Sequence, residues 1–295
     1  MCRIDVLLNE RAGSAGGDSV QRVTAAFEKT GVTPRLRAVA GDRLADTAQQ
    51  SARDGAVLVA AGGDGTVSTV AAVAAGAGRT FGVIPLGTRN HFARDAGIPL
   101  DLDEAVRAIV GGHVDPLDIA TANGVGFVNN LSAGLYPRVV RERQEAQRNG
   151  HTKWTAFAMG LARAWIDFRP FTVRLTIDGA ERVVVTPFVF VGNGEYVTEG
   201  LDVGRRSTIA NGRLSIYTAP ECTRAEMLTL MVRALAGRLT DDVALDAQTA
   251  AEVAIEPAAR RPTLAKDGEL VTMVSPIRCA VRRGALRTLR PLPAT

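Results

Sequence analysis

Along the first 120 residues the apolar positions fall into short unbroken runs separated by amphipathic stretches. Arg3-Ile4-Asp5-Val6-Leu7-Leu8 reads as a strand ending at Asn9. Ala56-Val57-Leu58-Val59-Ala60 and Phe81-Gly82-Val83-Ile84 are continuous, as strands buried on both faces require. Another strand is predicted near 34–39. Helical spacing covers 19–29, 43–53 and 66–76, and returns near 89–95 and 102–111. Gly13, Gly16 and Gly17 mark a loop before the first helix, Asp18 suits its N-cap and Gly31 its stop. Strand and helix alternating at this spacing predict an α/β layer with a mainly parallel sheet.

Near residue 120 the period changes to two. Phe171, Val173, Leu175 and Ile177 alternate with polar residues, Asp178-Gly179 is a hairpin signal, and Val183-Val184-Val185 begins the return strand. Further strands are predicted at 186–191, 207–218, 243–255, 270–274 and 277–282, with helices over 153–168 and 223–237. The expected division is an α/β domain over 1–120 and a mainly-β domain over 121–295.

Composition narrows the classes. The chain has 295 residues, 46% hydrophobic and 22% charged, which is globular rather than disordered. No window approaches about 18 uninterrupted apolar residues, which argues against a transmembrane helix. The N-terminus enters an apolar run with Asp5 inside it and does not read as a secretory signal. Cys2, Cys222 and Cys279 are far apart, so neither a disulfide framework nor a CxxC metal site is indicated, and a reducing cytoplasm is expected. A net charge of +4 and 5% aromatics point to no nucleic-acid partner. The lysines are Lys29, Lys153 and Lys266, none in a GxxxxGK[ST] loop, which excludes a P-loop NTPase.

Two stretches carry chemistry. Gly62-Gly63-Asp64-Gly65-Thr66-Val67-Ser68 leaves a buried strand and enters a helix. Glycines let the backbone turn sharply and approach a ligand, and a helix N-terminus attracts anions, so this is a natural phosphate cradle. Thr66 suits the N-cap. Asp64 would repel phosphates unless a divalent cation lay between, which points to Mg²⁺; the plainer reading is a tight turn with a capping Asp. Pro85-Leu86-Gly87-Thr88-Arg89-Asn90-His91-Phe92-Ala93 makes a second strand-to-helix turn, where Thr88 or Asn90 could bond a nucleotide or simply cap a helix. Two such turns at adjacent strand ends would form a crevice where α/β folds bind ligands.

Together, Gly62-Gly63-Asp64-Gly65-Thr66 and the Pro85-Leu86-Gly87-Thr88-x-Asn90-x-Phe92-Ala93 element resemble the diacylglycerol kinase catalytic domain family, which includes bacterial lipid kinases and sphingosine and ceramide kinases. NAD kinases share the first element; the second is far more specific to lipid kinases. The resemblance extends to Asn9 with Gly13, to Phe127-Val128-Asn129-Asn130 with Gly134, and to Lys266-Asp267-Gly268-Glu269. It implies an α/β nucleotide domain followed by a β-sandwich-like lipid-substrate domain whose extreme C-terminus returns to the first, with ATP and Mg²⁺ between them. Asn9, Gly62, Gly63, Asp64, Gly65, Thr66, Val67, Ser68, Thr88 and Asn90 would then bind the nucleotide. Asp64 and Asp267 would hold metal, and Asp64 and Glu269 would be catalytic, Glu269 as general base.

The chain departs from the family at several places. Ser68 stands where Asn is usual, and Arg89-Asn90-His91 where Gly-Asn-Asp is usual. Glu10-Arg11 and Ala38-Val39-Ala40 also differ, and Ala210-Asn211-Gly212-Arg213 replaces an Asp-Asp-Gly-Leu that holds a structural Mg²⁺ in bacterial members. His91, His113 and His151 have no metal-ligand spacing. Arg138, Arg141, Arg143, Arg148 and Lys153 read as a solvated helix face, or as a membrane-surface contact. The aromatic face of 153–168 reads as core, or as the wall of an acyl-chain channel.

The leading expectation is a cytoplasmic, ATP-dependent lipid kinase that moves the γ-phosphoryl group to a lipid hydroxyl at the membrane surface, with transient attachment. Exposed edge strands of the second domain are open to homodimer pairing. The alternatives are an NAD kinase-like enzyme with a soluble acceptor and a non-catalytic lipid- or nucleotide-binding relative.

Overall fold

The computed structural model describes residues 3–10, 18–149, 155, 169–196, 206–219, 226 and 245–292. The helices expected over 153–168 and 223–237, and the loop of Gly13, Gly16 and Gly17, lie outside the described residues.

The first half is an α/β layer. Strands β1 (Ile4–Asn9), β2 (Arg35–Val39), β3 (Val57–Gly62) and β4 (Thr80–Pro85) are parallel, in the order β2-β1-β3-β4. Both sheet faces are covered, which explains the unbroken apolar runs. Leu7, Leu58, Ala60, Phe81 and Val83 pack against helices α2 (Leu44–Arg53) and α3 (Asp64–Ala77). The alternate residues Val6, Leu8, Val59, Ala61 and Ile84 pack against α1 (Asp18–Glu28) and α5 (Leu102–Gly111). Between β4 and α5 in the chain lies the short α4 (His91–Asp95). The Asp101 carboxylate caps α5 by accepting the Glu104 N–H at 3.0 Å.

The second half is antiparallel. Strands β5 (His113–Ala122), β6 (Val125–Phe127) and β7 (Asn130–Gly134) lead into helix α6 (Leu135–Arg148). There follow β8 (Phe171–Ile177), β9 (Ala180–Thr186), β10 (Phe188–Asn193) and β11 (Glu195–Tyr196). The remaining strands are β12 (Arg206–Thr208), β13 (Leu214–Thr218), β14 (Asp246–Ala250), β15 (Glu252–Pro257), β16 (Thr263–Lys266), β17 (Glu269–Thr272) and β18 (Ile277–Arg290). One sheet runs β14-β13-β10-β7-β16-β17. It faces β8, β15, β5 and β18 across a core that includes Leu131, Val189, Val191 and Ile216 on one side and Val173, Leu175, Val253 and Ile255 on the other. This is a β-sandwich.

Strand β18 joins the halves. Its first residues pair with β15, and Arg287 and Thr288 pair in parallel with Thr80 and Phe81 of β4. The first-half sheet therefore continues through β18 into β15, β8 and β9. Among the described residues three hairpins turn on two residues with positive φ: Asn123-Gly124, Asp178-Gly179 and Asp267-Gly268. Such turns match the twist of paired strands, and Gly at the second position removes the Cβ penalty.

Several expected strands are redrawn. The stretch 207–218 divides into β12 and β13, because Asn211 and Gly212 turn the chain. The stretch 243–255 divides at Ala251 into β14 and β15, which belong to different sheets. The last strand, expected over 277–282, continues to Arg290 through an irregularity between Arg282 and Leu286.

Candidate active site

At the C-terminal edge of the parallel strands, β3 ends at Gly62 and α3 begins at Asp64. The N-cap is Gly63, in extended conformation, with no side-chain cap. Thr66, expected at the N-cap, instead lies inside the first turn, because the helix starts two residues earlier. It is buried and packs against Gly62, where a Cβ would come within 2.5 Å of its hydroxyl oxygen. A helix start without a side-chain cap leaves first-turn N–H groups for an anion. Val67 points into the core and Ser68 is buried.

The second loop touches the first. A Cβ on Gly87 would lie 2.5 Å from the Gly63 Cα, so the two backbones meet where only glycine fits. Asn90, at φ 52°, accepts the Gly87 N–H at 3.0 Å and donates to the Gly87 carbonyl at 2.8 Å. Its amide thus shapes the loop, and Thr88 is left exposed on it. Asp64 ties the loops together by accepting the Phe92 N–H of α4 at 3.4 Å. Asn9 lies at the same sheet edge, at the end of β1.

The facing wall comes from the sandwich. The Asp267-Gly268 turn pairs Lys266 with Glu269. Glu269 is exposed, and its carboxylate lies over Gly65: a Cβ there would be 2.8 Å from Oε1. Glu269 therefore faces the start of α3, next to Asp64. Asp267 turns the other way. Its Oδ1 accepts the N–H groups of Asn129 at 2.8 Å and Asn130 at 2.9 Å. Its Oδ2 accepts the Val128 N–H at 3.1 Å and the Ser68 hydroxyl. Lys266 Nζ donates to Ser68 Oγ and to the Gly126 carbonyl, both at 3.4 Å.

Metal chemistry can be tested against these donors. Among the described residues no group of three or more His, Cys, Asp and Glu could hold a metal ion. A cation at Asp64 would have to complete its coordination with phosphate oxygens and water, which suits Mg²⁺ carried by a nucleotide. Asp267 already takes four donors on its two oxygens, which suits anchoring better than ligation. The Asn211 region does not fit a second cation. Asn211 Oδ1 accepts the Arg213 N–H, and its amide donates to Glu195. The buried Asp118 carboxylate is held by the N–H groups of Gly212 at 2.6 Å and Gly284 at 2.8 Å. The Arg283 side chain packs directly on Gly212.

Other members of the site gave less warning in the sequence. Tyr196 donates its hydroxyl to the Asn129 carbonyl at 3.1 Å. Burial, with smaller contributions from the Asp267 and Asp95 charges, pushes its phenol up to about 12. Arg206 is a single arginine among many in the sequence and is almost fully buried here.

An α/β layer and a β-sandwich, with a glycine cradle facing a hairpin carboxylate between them, define a two-domain architecture with its cleft at the C-terminal edge of a parallel sheet. The family described as the diacylglycerol kinase catalytic domain matches residues 3–122. The family described as the YegS C-terminal NAD kinase beta sandwich-like domain matches residues 129–290. The chain belongs to this family of diacylglycerol kinase-like proteins with a YegS-type C-terminal domain.

A Klebsiella pneumoniae (strain 342) protein named "Probable lipid kinase YegS-like" is 30% identical over 178 residues, 59% of this chain and 60% of its own length. The diacylglycerol kinase of Bacillus subtilis (strain 168) is 27% identical over 223 residues, 73% of each chain. The first of these relatives is thus matched over less than two thirds of its length. A crystal structure of a diacylglycerol kinase from Bacillus anthracis str. Sterne superposes with a TM-score of 0.72 at 23% identity, over 98% of this chain and 96% of that one. That likeness shows the fold.

Proposed function

We propose that the protein is an ATP-dependent lipid kinase, transferring the γ-phosphoryl group of ATP to a hydroxyl of a membrane lipid. The observation that carries this reading is the placement of the Glu269 carboxylate over Gly65, at the N-terminal end of α3. Phosphoryl transfer asks mainly for positioning and charge neutralisation. First-turn N–H groups of α3 and the Gly63–Gly87 contact form the phosphate cradle, with Thr88 at its open side. Bound Mg²⁺ would neutralise phosphate charge, and Asp64 is the residue that would hold it. Glu269, exposed and free of the Asp267 network, takes the proton from the attacking hydroxyl. Such a base contributes on the order of 10²–10⁴ in rate. Asn90 and Asp267 act on shape, the first by closing the Gly87 loop and the second by fixing the hairpin under Glu269. Asn9 borders the cradle.

The lipid acceptor follows from the family and from the names of its relatives. Among the described residues no helix is long and apolar enough to cross a membrane, so the protein would reach its acceptor at the bilayer surface. Among the described residues β9 is one of the strands that end a sheet, and with Val183 and Val185 exposed it is an edge at which copies of the chain would pair.

Radiolabelled ATP, Mg²⁺ and a total lipid extract, with NAD in a parallel reaction, test the reading. The expected result is label in a lipid product identified by mass. Label in NAD alone, or ATP bound without transfer to any lipid, would overturn it.

A further inference from the structure

The strongest unused feature is the Arg206 guanidinium. Its side chain is 1% exposed, and that of its ion-pair partner Asp95 is 7% exposed. Nε donates to Asp95 Oδ2 at 2.6 Å. One terminal nitrogen donates to the Val128 carbonyl and, at 3.2 Å, to the Asn193 carbonyl. The other donates to Asn129 Oδ1 at 2.9 Å. The Tyr196 ring lies 5.9 Å from the guanidinium carbon. One planar cation thus touches α4 of the first half, and the Val128–Asn129 segment and the end of β10 in the second.

Burying a charge is costly, and an apolar residue of similar volume often serves stability as well or better. What the guanidinium adds is direction, since its fork fixes several acceptors in one plane. Those acceptors lead to both walls of the cleft. Asp95 ends the helix whose Phe92 N–H binds Asp64. Val128 and Asn129 supply two of the N–H groups that hold Asp267, two residues before Glu269.

We propose that Arg206 is a positioning residue for phosphoryl transfer: by tying Asp95 to Val128, Asn129 and Asn193 it sets the gap between the Asp64 loop and the Glu269 carboxylate. This rests on Glu269 being the base, as proposed above. The nucleotide cradle is held by its own contacts between Gly63, Gly87 and Asn90. Loss of Arg206 therefore moves Glu269 relative to the phosphates without dismantling the ATP site. A misplacement of about 1 Å can cost on the order of 10²-fold in rate.

The test is a cycle of Arg206→Met and Glu269→Gln, singly and together, with rates normalised to the ATP-binding fraction of each protein. Arg206→Met is expected to lower kcat by roughly 10–100-fold with KM for ATP within about 2-fold of the parent. Arg206→Lys, which keeps the charge but not the fork, should recover part of that loss. In the Glu269→Gln background, Arg206→Met should change the residual rate by less than about 2-fold, because the group it positions is gone. An equal fractional loss in both backgrounds would make Arg206 a structural residue only and overturn the proposal, as would an unchanged kcat in Arg206→Met. If Arg206→Met does not fold, Arg206→Lys is carried through the same cycle with the same outcomes. Full activity in Glu269→Gln alone would instead refute the assignment of the base, a result separable from the Arg206 effect on kcat.

Discussion

The two walls of the cleft are held in place by different physics. The Asp64 wall is made of close approaches at glycines: the Thr66 side chain packs on Gly62, and the Gly63 backbone meets that of Gly87. Its rigidity comes from packing at the edge of a parallel sheet buried on both faces. The Glu269 wall is a two-residue hairpin, and its position depends on a polar network around Asp267, extended through Asn129 to Arg206. A glycine cradle fails when a methyl group is added, whereas a polar network fails when a partner is removed. Wall for wall, the first should be sensitive to bulk and the second to lost hydrogen bonds.

The largest effect is expected at Asp64, where the first wall would hold the proposed Mg²⁺. Asp64→Asn should lower lipid phosphorylation on the order of 10³-fold, because a metal clamp on transferring phosphate is worth several kcal/mol; steady-state kinetics at saturating ATP would show it. Asp267→Asn strikes the second wall. It replaces a carboxylate holding four donors with a neutral amide and should lower unfolding free energy by about 3 kcal/mol, read by chemical denaturation. Gly87→Ala should raise KM for ATP by roughly 10–100-fold, since overpacking of about 1–3 kcal/mol forces the loops apart. If Asp267→Asn raised KM for ATP as much as Gly87→Ala did, the separation between the walls would be lost.

The smallest effect concerns Tyr196. Its pKa is raised from 10.0 to about 12 by burial, so between those values the folded state keeps a proton that the unfolded chain has released. Stability linked to this group is full below pH 10 and is lost as pH rises toward 12. Tyr196→Phe should cost about 1 kcal/mol at neutral pH, from the bond to Asn129, and should soften the alkaline loss of stability. Thermal unfolding of both proteins across that range would measure it.

Legibility in the sequence follows the same division. The Asp64 wall was readable because its signals are local: a continuous apolar run, glycines at fixed offsets and a helix start. The Glu269 turn was readable as an Asp-Gly pair, and its place opposite Gly65 entered only through family resemblance. The rest of the second wall joins residues far apart in the chain. Asp95 and Arg206 are separated by 111 positions, and Ser68 and Asp267 by 199. No periodicity encodes such pairs. The strand break at Ala251 was missed for a related reason: apolar alternation continues across it, and only the pairing partners show which sheet each piece joins. The break at Asn211-Gly212 carries a local turn signal, which a reading of 207–218 as one strand passes over.

The central claim is that the cradle binds ATP while the opposite hairpin supplies the base. Glu269→Gln separates the two acts when ATP affinity by calorimetry and transfer to lipid by radiolabel are measured on one preparation. The account predicts ATP affinity within about 2-fold of the parent and transfer reduced on the order of 10²–10⁴-fold. Undiminished transfer, or loss of ATP binding together with transfer, would contradict it.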